Sequence, residues 1–97
     1  MRLTISNADE IGAIVRAVRK HGGLRQDDAA GLLSVGETFM LRLENGETSL
    51  QWDKLLKVLQ GLGIRVELDV PDITEAALEK ERLRLQERHR RRNRRPA

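Results

Sequence analysis

Three side chains near the middle of this 97-residue chain have the chemistry to read the edges of bases: Glu37, Thr38 and Arg42, in the run GETFMLRLENG. A guanidinium donates two parallel hydrogen bonds to guanine O6 and N7, a carboxylate accepts from the cytosine amino group, and a threonine offers a hydroxyl and a methyl. Each residue has a plainer reading beside that one. Arg42 also has the reach to touch a phosphate or to pair in the neighbourhood of Glu44, and Glu37 is equally a first-turn acid favoured by a helix dipole. The choice depends on the element that carries them and on what holds that element in place.

The spacing predicts a helix from about Glu37 to Asn45. Phe39, Met40 and Leu43 fall at i, i+1 and i+4 as one inward stripe, bounded by a Ser34-Val35-Gly36 turn and an Asn45-Gly46 stop. Before it, Asp27 and Asp28 suit a helix N-terminus, and Ala29, Ala30, Leu32 and Leu33 form a small apolar face, which predicts a helix from about Gln26 to Leu33. The small Ala30 lets the two helices approach closely and cross steeply, leaving outward residues of the second free to enter a major groove. Any small helical hairpin shares this spacing.

The gap-free stretch LRQDDAAGLLSVGETFMLRLENG, Leu24 to Gly46, resembles the XRE or Cro/C1-type helix-turn-helix. Leu24, Gln26, Ala30, Leu33, Val35, Met40, Leu43, Glu44, Asn45 and Gly46 occupy its usual positions. With the run from Trp52 to Ile64 and the short strand expected after it, the chain is similar to HipB-like antitoxins over about residues 8 to 70. The resemblance places Glu37, Thr38 and Arg42 at base-reading positions. It places Gln26, with Arg25 beside it, where phosphate is gripped, and Phe39 either against the turn or against a thymine methyl. Thr48 and the amides after it, at the start of the next helix, are expected to hold the other flank of the duplex. Three residues depart from the generic pattern: Gly36 stands where a capping Ser or Thr is common, and Phe39 and Leu41 are bulkier and more apolar, Leu41 enough to mark a protein-contact surface instead. What the resemblance implies as a whole is a dimeric repressor of its own operon that binds a pseudo-palindromic, double-stranded operator and neutralises a HipA-like kinase toxin. A stand-alone XRE regulator without a toxin is the alternative.

The flanking segments position this unit. Asn7 with Glu10 makes a capping box, and Ile11, Ile14, Val15 and Val18 share one face, predicting a helix that ends at Gly22-Gly23. Arg16, Arg19, Lys20 and His21 then suit its C-terminal dipole. Thr48 or Ser49 is the expected cap of a fourth helix carrying Leu55, Leu56, Val58, Leu59 and Leu62, with Trp52 as a core or dimer contact. Ile64 to Val70 alternates apolar and charged residues up to Pro71, which predicts a strand. A lone strand leaves its backbone groups unpaired, so Ile64, Val66, Leu68 and Val70 are expected to pair with the same strand of a second chain, or else with residues 2 to 6.

The expected fold is mainly α: a compact bundle of about four helices and one short strand over residues 1 to 71, then a basic helical tail over 72 to 97. Residues 1 to 71 hold nine Lys/Arg against ten Asp/Glu, whereas 72 to 97 hold nine against five, so the chain's net charge of +3 lies in the tail. A near-neutral body attracts phosphate weakly at long range, so affinity would rest on local placement, dimerisation or the tail. Supportive spacings, Glu79 to Arg82, Glu81 to Arg84 and Glu87 to Arg91, predict a helix into the eighties after a Pro71-Asp72 and Glu75 cap signal. The run from Arg88 to Arg95 is expected to fray, either solvated or touching phosphate.

The same composition excludes much. Two histidines without metal-ligand spacing, no glycine-rich phosphate loop, no nucleophile elbow and no paired carboxylates argue against an enzyme, a metal site or a cofactor. No cysteine is present and no apolar run approaches a membrane span or a signal-peptide core, so a cytoplasmic, nucleoid-associated protein is expected.

Overall fold

The computed structural model describes residues 1 to 93 and is mainly helical, with five helices. In chain order these are α1 (Ala8–His21), α2 (Gln26–Leu32), α3 (Glu37–Glu44), α4 (Trp52–Gly61) and α5 (Glu75–Asn93). The chain divides into two compact units, Met1–Val66 with the first four helices and a second that begins at Glu67.

The first unit is built around α3. Both α1 and α2 pack on it, and the core is Val15 from α1, Ala29 and Ala30 from α2, Phe39, Met40 and Leu43 from α3, and Val58 and Leu59 from α4. Ala29 and Ala30 are fully buried, so the small residues set the close approach of α2 to α3. Ile11, Leu24, Leu33, Val35, Leu50, Leu55, Leu62 and Ile64 pack around this centre. One glycine marks where backbones meet. A Cβ at Gly12 would stand 2.6 Å from the Leu43 carbonyl oxygen and 2.9 Å from that of Glu44, so only glycine lets α1 lie against the end of α3.

The helix ends follow local rules. Asn7 caps α1 by accepting from the Glu10 N–H at 3.0 Å, and Glu10 reaches back to accept from the Ser6 N–H at 3.1 Å. All four helices of the unit close with the same paired backbone bonds onto a residue of positive φ: Gly23 (72°), Ser34 (55°), Gly46 (74°) and Gly63 (76°). Ser34 is the one non-glycine among them. It sits in the turn between α2 and α3, where its N–H donates to Gly31 O at 3.2 Å and that of Val35 to Ala30 O at 3.0 Å.

Several expectations are corrected. No strand occurs among the described residues, and neither 64 to 70 nor 2 to 6 forms one, because a β ladder needs a partner that this chain alone does not offer. Ile64 instead packs on its own chain's core, donating its N–H to Leu59 O at 2.8 Å. Trp52 is no core residue of this chain; it stands 74% exposed in the first turn of α4. Leu32 is exposed as well, and Leu33 alone of that pair packs inward. Gln51, not Thr48 or Ser49, is the N-cap of α4, and it makes no side-chain cap bond.

In the second unit, Thr74 caps α5, its hydroxyl accepting from the Ala77 N–H at 3.0 Å. The helix buries no residue. It runs further than expected, to Asn93, because Glu87 pairs with both Arg90 (2.6 Å) and Arg91 (3.2 Å), which offsets the repulsion of the basic run. The pairs Glu79–Arg82 and Glu81–Arg84 form as well. Arg94 and Arg95, the end of that run, lie outside the described residues.

Candidate nucleic-acid interface

Helix α3 has two chemically distinct faces. Gly36 caps it with backbone alone, its carbonyl accepting from the Met40 N–H at 3.1 Å, as expected where Ser or Thr is missing. Phe39, Met40, Leu43 and Glu44 turn inward, while Glu37, Thr38 and Leu41 are exposed and Arg42 is half-buried. The three candidate base-reading side chains therefore share the accessible side of one helix.

What fixes that helix is an ion pair in which Arg19, expected only as a cation at the C-terminal dipole of α1, meets Glu44. Arg19 Nε donates to Glu44 Oε2 at 2.7 Å and Nη2 to Oε1 at 2.8 Å, a bidentate pair with only 7% and 0% of the two side chains accessible. Arg19 Nη1 donates to Leu24 O at 2.9 Å, and Arg16 approaches the same carboxylate at 3.7 Å. The Glu44 hydrogen bonds hold the Arg19 guanidinium above its usual pKa against the opposing pull of desolvation. Arg19 is thus a tie between α1 and the end of α3, not a dipole cation. A signal for it was present: Ile11, Val15 and Arg19 recur at i, i+4 and i+8, so the arginine lies on the buried stripe.

Arg42 is held on the opposite side. Its Nε is ion-paired to Glu47 Oε2, and its Nη2 donates to Ser49 O at 2.9 Å. Its partner is therefore Glu47, because Glu44 is occupied by Arg19 and Arg16.

The remaining candidates scatter. Arg25 is the N-cap of α2 and pairs with Asp27 at 3.3 Å, while Gln26 opens that helix half-buried. Both lie at the amide-bearing end of α2. Phe39 is corrected: it is 9% exposed in the core, with Lys54 Nζ 5.9 Å from its ring centroid, so its ring packs inward and does not face a thymine methyl. Thr48 is corrected too, for it is exposed in the loop before α4 and does not start that helix.

A family model described as a helix-turn-helix domain matches residues 10 to 69, the span from α1 through the segment after α4. The chain belongs to the helix-turn-helix family. Within it, the chain is an XRE-type DNA-binding regulator by family match and sequence likeness. An HTH-type transcriptional regulator, y4mF of Sinorhizobium fredii, is 44% identical over 71 residues, 73% of this chain and 93% of that protein. Among solved structures, a chain of a HipB–O2 20mer complex superposes with a TM-score of 0.66 at 18% identity, covering 74% of this chain and all of that one. A chain of the HipA–HipB–O2–O3 complex gives 0.65, again at 18%, covering 73% of this chain and all of that one. The clp gene regulator ClgR of C. glutamicum gives 0.55 at 23%, covering 68% and 85%. In this helix-turn-helix, α2 and α3 are the two motif helices, Ser34 lies in their turn, and α1 and α4 are the brace. Among the described residues no cluster of His, Cys, Asp and Glu is arranged to hold a metal, and no helix is long and apolar enough to cross a membrane.

Proposed function

We propose that this chain is an antitoxin-type repressor that reads a pseudo-palindromic operator as a homodimer, represses its own operon and neutralises a HipA-like kinase. The observation that carries the DNA-reading part is the accessible face of α3, where Glu37, Thr38 and Arg42 stand together on a helix pinned from behind by the Arg19–Glu44 pair. Arg42 takes the guanine contact, Glu37 and Thr38 take neighbouring edges, and Arg25 with Gln26 positions the backbone at the start of α2.

The dimer is supported by the apolar side chains after α4. Val66, Leu68 and Val70 are exposed, Leu68 by 82%, and a second copy of the segment would supply the ladder that one chain lacks. Ile64 is left out of that set, since it is committed to its own core. The kinase partnership is supported by the HipB-like fold. The second reading, a stand-alone regulator, is favoured by y4mF, the relative described only as a transcriptional regulator.

Hydroxyl-radical footprinting on the chain's own upstream DNA tests the first part. Protection on one face of the duplex, in two half-sites one helical turn or a multiple of it apart, is expected; diffuse or absent protection overturns it. The second part is tested by adding the chain to a HipA-like kinase encoded beside it. Loss of phosphotransfer at equimolar chain supports the antitoxin, and undiminished activity supports the stand-alone regulator.

A further inference from the structure

The residue after the α3 stop does something the DNA-reading set does not account for. Gly46, at φ 74°, turns the chain back on itself, and Glu47 then donates its backbone N–H to Arg42 O at 3.1 Å. That is the position where the other three helices of the unit place an apolar residue, Leu24, Val35 or Ile64, against the core. Here the side chain is instead a carboxylate paired with the Nε of Arg42. Glu47 is therefore fixed to Arg42 twice, by backbone and by side chain. Ser49 O takes one Nη2 hydrogen as well.

The consequence lies in which donors remain. A guanidinium has five N–H donors in a planar fork. The Nε hydrogen is taken by Glu47 and one Nη2 hydrogen by Ser49, while Nη1 makes no hydrogen bond among the described residues. Both Nη1 hydrogens and one Nη2 hydrogen are left, donors enough for the paired acceptors N7 and O6 of guanine. A long arginine left loose would lose its rotamer freedom on binding a base; one already held loses less.

Resting on the DNA-reading role proposed above, we infer that Glu47 is a positioning residue for sequence recognition: it touches no base, and it fixes the Arg42 guanidinium so that its remaining Nη donors face guanine. Glu47 thereby sharpens specificity at a cost in general affinity, since its negative charge offsets that of Arg42 and weakens attraction to phosphate.

The test measures binding of the full chain to a duplex enriched from a random library by the wild-type protein, and to copies with each guanine replaced in turn. Glu47→Ala is expected to reduce discrimination at the Arg42-dependent guanine by about tenfold while tightening binding to scrambled duplex. Glu47→Gln, which keeps an acceptor, should restore part of the discrimination. In an Arg42→Ala background Glu47→Ala should leave discrimination unchanged, a readout that loss of folding would not mimic. Tighter binding by Glu47→Ala with discrimination intact would overturn the inference, making Glu47 only a competitor for the arginine. If the wild type enriches no sequence, or if Arg42→Ala discriminates as well as wild type, the DNA-reading assignment itself fails and the inference goes with it.

Discussion

The two faces of α3 each carry an arginine–glutamate pair and use it differently. On the inner face, Arg19 and Glu44 are buried and bonded at two points, with Leu24 O and Arg16 completing the set. On the outer face, Arg42 and Glu47 are each close to half exposed. The inner pair was removed from water at a cost of several kcal/mol per ion, recovered only because its geometry is complete. The outer pair remains solvated, contributes about 1 kcal/mol or less, and leaves donors to spare. One arginine is committed to the fold and the other is available for a ligand.

Loss of the inner pair is expected to have the largest effect. Glu44→Ala leaves Arg19 charged and buried without its partner and is expected to cost about 3–5 kcal/mol, comparable to the whole stability of so small a unit. Thermal unfolding followed by circular dichroism would show loss of the cooperative transition. Replacing both partners together with apolar residues, Arg19→Met with Glu44→Leu, should recover most of that loss. Gly12→Ala, whose Cβ would press on the Leu43 and Glu44 carbonyls, comes next at about 2–3 kcal/mol by chemical denaturation.

Changes on the outer face should move binding and not folding. Arg42→Ala is expected to remove about 1–3 kcal/mol of operator discrimination while leaving the unfolding midpoint within about 0.5 kcal/mol of wild type. The smallest effect is expected in the turn that orients the two motif helices. Ser34 has φ 55° where the other three helix ends have glycine, so Ser34→Gly should stabilise by about 0.5 kcal/mol, the relieved strain being partly offset by a freer unfolded chain. Comparison of denaturation midpoints checks it.

The sequence made the helices and the outer face legible, because both depend on local spacing. Ala30, Met40 and Leu43 lie in the core and Glu37 and Thr38 outside, as the apolar stripe of α3 demands. What could not be read locally were the long-range pairings. Arg19 and Glu44 are 25 residues apart, and nothing near Arg19 other than its place on the buried stripe distinguishes it from the cations beside it. Phe39 lies in the core as its place on the inward stripe demands, and only the thymine-methyl contact that the resemblance offered is ruled out. The strand from Ile64 to Val70 failed for a different reason: its alternation is a property of one chain, whereas a ladder is a property of two segments.

On the function proposed above, the accessible face of α3 selects a sequence while its buried face only holds the helix in place. Fluorescence anisotropy tests it most directly, with wild type and Arg42→Ala titrated against the chain's own upstream duplex and a scrambled duplex of equal length across a salt series. Wild type is expected to prefer the upstream duplex and Arg42→Ala to lose this preference, with a salt slope changed by about one or less. Equal, steeply salt-dependent binding of wild type to both duplexes, or an undiminished preference in Arg42→Ala, would contradict it.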